Sequence, residues 1–159
     1  MFNIVLYQPE IPPNTGNIIR LCANTGCRLH LIEPLGFDLS DKQLRRAGLD
    51  YHEWAEVKTY ESIQTLNDTR QRDSGAENSI YALSTKGTQH YHRATFKHGD
   101  YLIFGPETRG LPEDYLETLD NGHILRLPML HNSRSLNLSN TVAIVTYEAL
   151  RQNQFQGLD

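Results

Sequence analysis

Short apolar runs of strand length alternate with segments of helical periodicity along this whole chain. Phe2–Tyr7 predicts a first strand, and the apolar spacing of Leu138–Gln152 predicts a last helix. Further strands are predicted at Arg28–Glu33, Glu56–Thr59, Ser79–Ser84, Tyr101–Phe104 and Ile124–Leu127, and further helices at Asp41–Ala47, Ser62–Leu66 and Pro112–Leu119. Such alternation is typical of a parallel sheet covered by helices on both faces. The sequence therefore predicts an α/β fold, with residues 1–159 forming a single domain.

Another helix is predicted after the first strand. Asn14 and Thr15 are suited to cap its start, and Asn24 and Gly26 to end it, with Gly26 in the left-handed conformation. The polar stretch at residues 67–79, NDTRQRDSGAENS, predicts a surface loop.

Composition excludes several classes of protein. No apolar run approaches the length of a membrane span, and the first residues lack the pattern of a signal peptide, so we expect a cytoplasmic protein. Cys22 and Cys27 are too few for a zinc set, the seven histidines are scattered, and His90 and His92 alternate on an extended stretch without a third ligand; no metal is expected. A net charge of −4 argues against non-specific coating of nucleic acid, but it does not exclude a specific RNA enzyme.

Three loops follow predicted strands, at Ser84–Thr88, Gly105–Gly110 and Pro128–Ser135. Ligands of parallel sheets bind beyond the carboxyl ends of the strands, so these loops are candidate binding loops. The second carries a glycine that allows close approach of the backbone and two opposite charges, Glu107 and Arg109. Each loop, taken alone, is equally typical of an ordinary turn, with a surface ion pair in the second. None matches a Walker, GxGxxG or GxSxG motif.

Two further segments are unusually polar for their positions. The run from His131 to Asn140 places Ser133, Ser135, Asn137, Ser139 and Asn140 just before the last helix, where the first backbone N–H groups need partners. Taken alone, the run favours a turn with a helix cap, because Ser and Asn are the ordinary cap residues. Near the N-terminus, Asn17 and Arg20 share one helix face. That arginine could hold a phosphate, or could simply be a surface charge.

Taken together, PPNTGNIIR, FGPETRGLP and RLPMLHNSRSLNLSNTVAIVTYEALRQ resemble motifs of the SPOUT family of RNA methyltransferases, in the same order and over almost the whole chain. The closest resemblance is to its small single-domain branch, the tRNA (cytidine/uridine-34 2′-O)-methyltransferases. The resemblance implies an α/β knot, in which the C-terminal part forms a deep trefoil. It also implies S-adenosylmethionine (AdoMet) as cofactor, S-adenosylhomocysteine as product, no metal, and the wobble ribose of tRNA, in leucine tRNAs, as substrate.

The resemblance also assigns residues. Arg20, Ser135 and Asn137 are the implied catalytic residues. The implied cofactor-binding residues are Leu83, Ser84, Thr85, Gly105, Pro106, Glu107, Leu125, Leu127, Pro128, Ser135, Leu136 and Asn137. A guanidinium stays protonated in proteins, so we expect Arg20 to hold the adjacent phosphate and stabilise the developing alkoxide, while a phosphate oxygen or water accepts the proton.

The family works as a homodimer that packs its first and last helices across the interface. The anticodon stem-loop of tRNA would then lie across both subunits. Tyr147 is expected at this interface or, equally, in the core. Two other functions stay open: a SPOUT methyltransferase acting on ribosomal RNA or on a base, and a non-catalytic ligand-binding module with the same fold.

Overall fold

The computed structural model describes residues 1–39, 57–74 and 77–159, and these residues contain one parallel sheet. Its seven strands lie in the order β3-β2-β1-β6-β4-β7-β5, and every neighbouring pair is parallel. The strands are β1 (Asn3–Tyr7), β2 (Arg28–Ile32), β3 (Val57–Tyr60), β4 (Ile80–Leu83), β5 (Gln89–His90), β6 (Tyr101–Phe104) and β7 (Ile124–Arg126). The α/β prediction is confirmed, and the trefoil knot stays a prediction.

Helices cover both faces of the sheet. The described helices are α1 (Pro12–Thr25), α2 (Ile63–Ser74), α3 (Glu113–Glu117) and α4 (Leu138–Gln152), with 3₁₀ turns at Tyr91–Arg93 and Asn121–His123. On one face, α1 and α4 pack over β1 and β6 through a core that includes Ile18, Val142 and Val145. On the other face, Leu66 of α2 and Leu116 of α3 close a second core. Strand residues therefore alternate between two apolar layers, as a doubly covered parallel sheet requires.

The start of α1 differs from the prediction. The helix begins at Pro12, and its N-cap is Ile11, which makes no side-chain cap. Asn14 and Thr15, expected as caps, are instead buried in the first turn. Two prolines explain the shift: their fixed φ suits the first helical positions, and they have no N–H group to satisfy. The predicted stop is confirmed, because Gly26 follows the last turn with φ 67°.

The polar stretch after residue 66 was wrongly predicted as a loop. Residues 67–74 continue α2, and the side chain of Gln64 donates to the Asp68 carboxylate over 2.8 Å, one turn further along. The stretch contains no glycine or proline before Gly75, and its Gln and Arg residues favour a helix. Polarity alone therefore did not mark a loop, because Leu66 anchors one side of the helix to the core.

Some predicted elements fall elsewhere or are new. The predicted helix Asp41–Ala47 and residue Glu56 lie outside the described residues. The two-residue strand β5 was not predicted, and Tyr91–Arg93 forms a 3₁₀ turn rather than an extended stretch. Both are too short to produce a sequence period. Cys22 and Cys27 are buried free thiols, as expected.

Candidate active site

A cleft of about 500 Å³ lies beyond the carboxyl ends of β4, β6 and β7. Its walls come from the three loops that follow these strands and from the start of α1, which contributes Ile11 and Asn14. This is the edge at which parallel sheets bind ligands. A cleft of this volume falls in the usual range of small-molecule sites.

Most of the residues implied by the resemblance line this cleft. They are Leu83, Ser84, Thr85, Gly105, Pro106, Glu107, Leu127, Ser135, Leu136 and Asn137. Leu125 is instead fully buried in β7, where its carbonyl accepts a 2.9 Å hydrogen bond from the Ser84 N–H and so fixes the floor. Pro128 is exposed and is not among the lining residues. Three loops far apart in sequence are thus brought together as predicted.

Gly105 is required by the way its loop folds back on itself. A Cβ added to this residue would lie 2.3 Å from the backbone nitrogen of Leu111 and 2.4 Å from the carbonyl carbon of Gly110. Those are backbone atoms and cannot move aside like the end of a flexible side chain. Any larger residue at position 105 would push the backbone of Gly110 and Leu111 aside and so displace this wall of the cleft.

The carboxylate of Glu107 caps α1 from a distant loop. It accepts hydrogen bonds from the backbone N–H of Glu10 (2.9 Å) and of Ile11 (3.2 Å), and from the side-chain amide of Asn14 (3.1 Å). A negative charge at a helix N-terminus also interacts favourably with the helix dipole. This explains how α1 starts without a side-chain cap of its own.

Asn137 caps α4 and faces the cleft at the same time. Its Oδ1 accepts from the N–H groups of Ser139 (2.9 Å) and Asn140 (3.3 Å) and from the Ser139 hydroxyl (2.7 Å). Its Nδ2 donates to Oδ1 of Asn14 over 2.9 Å. The two sequence interpretations of this segment, helix cap and ligand site, are therefore compatible.

Glu107, Asn14 and Asn137 form a continuous chain of hydrogen bonds, which we call the amide relay. Asn14 is its buried centre, since its amide donates to Glu107 and its oxygen accepts from Asn137. The relay fixes the start of α1, the start of α4 and the loop after β6 relative to one another. Asn14 was not predicted as a site residue, although an amide set directly after two prolines was the available signal.

The charged residues around the cleft are mostly paired. The Arg109 guanidinium donates to the Glu10 carboxylate (2.9 Å) and to Oε1 of Gln8 (2.7 Å), so the ion pair of this loop runs to Glu10 rather than to Glu107. Lys86 pairs with Glu113 over 2.8 Å and lowers the pKa of that carboxyl. The Lys86–Glu113 pair is exposed, so it contributes little to stability.

Three polar side chains at the cleft remain available to a ligand. Within the described part of the chain, the hydroxyls of Thr85 and Ser135 and the guanidinium of Arg126 have no hydrogen-bond or ion-pair partner. All three are exposed. Arg126, Met129 and Thr141 lie within the last of the three motifs but were not among the predicted site residues.

Arg20 is not brought to the cleft within one chain. It lies on the exposed face of α1 together with Asn17, whereas the cleft is lined by the buried Asn14 at the start of the same helix. The predicted shared face of Asn17 and Arg20 is confirmed. Within a single protomer, Arg20 does not share a site with Ser135 and Asn137.

Sequence comparison identifies the family to which this α/β fold with its strand-end cleft belongs. The model of the SpoU rRNA Methylase family matches residues 1–147, and the chain belongs to that family. The AdoMet complex of the SpoU methyltransferase AviRb from Streptomyces viridochromogenes has the same fold. It superimposes with a TM-score of 0.81 at 22% identity, over 96% of this chain and 57% of that one.

Other proteins are more similar to this chain in sequence, and their names are more specific. A tRNA (cytidine(34)-2′-O)-methyltransferase from Saccharophagus degradans is 60% identical over 157 residues, which cover 99% of both chains. A structure described as giving insight into the 2-OH methylation of C/U34 on tRNA superimposes with a TM-score of 0.87. It is 44% identical, over 97% of both chains.

None of the helices among the described residues is long and apolar enough to cross a membrane. No group of three or more His, Cys, Asp or Glu side chains among these residues is arranged to hold a metal ion.

Proposed function

We propose that this chain transfers a methyl group from AdoMet to the ribose 2′-hydroxyl of the wobble nucleotide, cytidine or modified uridine 34, of tRNA. The observation that carries the proposal is the strand-end cleft. The amide relay holds its walls in place, and Gly105 lets the loop after β6 fold closely against its own backbone. Relatives that match 99% of this chain at 55% to 60% identity are named tRNA (cytidine(34)-2′-O)-methyltransferases. We place the enzyme in the cytoplasm, as one domain over residues 1–159.

The residues of the cleft fit the cofactor. The close approach at Gly105 leaves room for a flat base against the loop backbone, and Leu83, Leu127 and Leu136 supply apolar surface. When bound, AdoMet supplies an electrophilic methyl group for in-line displacement by an oxygen nucleophile. Such a reaction depends mainly on alignment, and effective molarities from good positioning can be very large.

The chain's own residues would provide that alignment. The hydroxyl of Ser135, which has no partner among the described residues, would hydrogen-bond the ribose or the cofactor. Asn137, with both amide atoms engaged, holds the loop that carries Ser135. Arg126 offers a positive charge to a carboxylate or a phosphate at the cleft mouth. Arg20 would hold a substrate phosphate and stabilise the alkoxide, and water or a phosphate oxygen would accept the proton.

We also propose a homodimer, which would let Arg20 act. The described surface of α4 and the turn after it exposes Ile144, Tyr147 and Phe155, and Tyr147 is 49% exposed rather than part of the core. Exposed apolar side chains grouped in this way are typical of an interface. A partner packed on α1 and α4 would place the Arg20 of one protomer near the cleft of the other, with tRNA lying across both.

Mixed dimers test this arrangement. We expect Arg20→Ala and Ser135→Ala each to be inactive as homodimers. If the two residues serve one site from different protomers, refolding an equal mixture restores about a quarter of wild-type activity, since half of the dimers carry one intact site of two. Two copies of the same variant mixed together are the control. No recovery in the mixture would mean that both residues act within one protomer.

The reaction itself is tested by methyl transfer. Labelled AdoMet is offered to tRNA from cells lacking this protein, and the product is mapped by nucleoside analysis. Label in a 2′-O-methyl group at position 34 is the expected result, and its distribution among isoacceptors tests the expectation of leucine tRNAs. Label on a base or on ribosomal RNA would favour the other SPOUT activities. AdoMet binding without transfer to any RNA would favour a non-catalytic module.

A further inference from the structure

A second cleft, here called the rear cleft, lies at the opposite edge of the sheet. It has a volume of about 460 Å³ and is formed by the amino-terminal ends of β1, β2 and β6, by Lys58 and Tyr60 of β3, and by α2. The five residues of β1 separate the two clefts, and at about 3.3 Å per residue this amounts to roughly 15 Å along the strands. The rear cleft is therefore a separate site from the methyl-transfer cleft.

The floor of the rear cleft is polar where the rest of the sheet face is apolar. Asn3, His30 and Tyr60, on three neighbouring strands, form a hydrogen-bonded row. The Asn3 Oδ1 lies 3.1 Å from Nε2 of His30, and Nδ1 of the same ring lies 3.1 Å from the Tyr60 hydroxyl. Asn3 and His30 are almost fully buried. The row is thus a preorganised polar surface beneath an open cavity.

The walls carry positive charge without a carboxylate. Arg28, Lys58 and Arg70 line the rear cleft, and no Asp or Glu is found among its described lining residues. Arg28 and Lys58 have no hydrogen-bond or ion-pair partner within residues 1–39, 57–74 and 77–159. Arg70 donates from Nη1 to the Asn78 carbonyl over 2.7 Å, while its buried Nε has no partner. Three cations therefore face one cavity with unused donor capacity.

His30 does not add to this charge. Burial, and then the neighbouring Lys58 and Arg28, lower the pKa of the imidazole to about 4. The ring is neutral at physiological pH and contributes hydrogen bonds instead. The field that opposes its protonation is the same field that attracts an anion.

We propose that the rear cleft binds a phosphate group of a nucleotide, held by Arg28, Lys58 and Arg70. Guanidinium groups match phosphate oxygens by paired hydrogen bonds, and a lysine adds a point charge. The ring of Tyr60 lines the same cavity and offers apolar surface to the attached nucleoside. The phosphate belongs either to a tRNA backbone or to a free nucleotide, and the chemistry of recognition is the same.

Direct binding is the first test. Inorganic pyrophosphate and ADP are titrated into the full-length protein, and the backbone amides of Gly26 and Gly99, which line the rear cleft, are followed by NMR. We expect both signals to shift, and the affinity to fall at least about ten-fold in Arg28→Gln/Lys58→Gln. The matched control is Arg93→Gln/Lys97→Gln, which removes the same charge from exposed residues that line neither cleft.

A second measurement identifies the source of the phosphate. If tRNA supplies it, the double variant weakens tRNA binding and lowers the slope of log K against log salt by about 1 to 2, while AdoMet affinity stays unchanged. If only pyrophosphate and ADP binding is lost and tRNA binding matches the control, the ligand is a free nucleotide. Equal behaviour of the double variant and the control in both measurements would overturn the proposal. Pyrophosphate binding requires no methyl transfer, so this result is independent of the proposed activity.

Discussion

The replacement Glu107→Gln tests whether the Glu107 carboxylate, from a loop distant in sequence, caps the start of α1. Gln keeps the shape of the side chain but turns one acceptor oxygen into an NH₂ group. In the present geometry Oε1 accepts from Ile11 and Asn14, and Oε2 accepts from the N–H of Glu10. With Oε1 kept as the amide oxygen, the NH₂ group would face the Glu10 N–H, donor against donor. The opposite rotamer would oppose two donors and is less favourable.

The expected destabilisation follows from these three bonds. Losing one hydrogen bond to a charged acceptor costs about 1.5 to 3 kcal/mol, and the two remaining bonds weaken because their acceptor becomes neutral. We therefore expect the free energy of unfolding to fall by about 3 kcal/mol. For a domain of this size, that shift lowers the Tm by about 6 to 12 °C.

Thermal and urea unfolding at one fixed protein concentration measure the change, since association would make the Tm depend on concentration. The control is Glu113→Gln, which removes an exposed carboxylate paired with Lys86 near the same cleft. We expect that variant to unfold like the wild type, because exposed ion pairs contribute little. If Glu107→Gln also unfolds like the wild type, the carboxylate does not cap α1 and the amide relay has no structural role.

The cleft, the exposed surface of α4 and the buried His30 give four further predictions. Gly105→Ala should abolish AdoMet binding in calorimetry, because its Cβ would meet backbone atoms at 2.3 and 2.4 Å, whereas Gly122→Ala, with open space around it, should bind normally. Ser135→Ala should lower kcat/KM at least about ten-fold at unchanged Tm, while Ser133→Ala, whose hydroxyl bonds the Leu130 carbonyl in a turn, should keep activity. Tyr147→Asp should give a monomer in sedimentation, unlike Thr95→Asp at another exposed position; a monomeric wild type would refute the dimer. The buried His30 has a pKa of about 4, below its value in the unfolded chain, so its contribution to stability is complete above pH 6.5 and is lost as the pH falls towards 4. His30→Gln should therefore remove about 3 kcal/mol from the pH dependence of the free energy of unfolding, measured with urea. An unchanged pH profile would contradict this prediction.

The layers of this fold could be predicted because the core strands are short apolar runs and the last helix has a clear helical spacing of apolar residues. β6 and α4 were predicted with the bounds that the structure has. Prediction failed where tertiary contacts decide local structure. Polar residues 67–74 form a helix because Leu66 packs into the core. The helix α1 begins at Pro12, with prolines at its first two positions, and the Glu107 carboxylate bonds the N–H groups of Glu10 and Ile11 just before it. No local pattern reports either contact.

The site divides in the same way. Loops at strand ends are predictable from the order of elements, and their lining residues were largely found through the family resemblance. Arg20 illustrates the limit: its residue type and spacing indicated a site, but spacing along a helix cannot say whether the side chain meets the cleft of its own chain. The structure places Arg20 on an exposed face away from that cleft.

The amide relay couples the stability of the fold to the shape of the site. Asn14 has 5% of its surface exposed and is the contact between the carboxylate of Glu107 and the cap residue Asn137. Replacing it by Asp would bring a second carboxylate against Glu107 and remove the donor that joins them. Replacing it by Leu would leave the amide of Asn137 without its partner. Either change must move the start of α1 or the start of α4, and each of those helix starts contributes to the wall of the cleft. Among the described residues of the cleft, Asn14 is therefore the position where a loss of folding stability and a loss of methyl transfer should be hardest to separate. Ser135, which has no partner within the described residues, should show the second loss without the first.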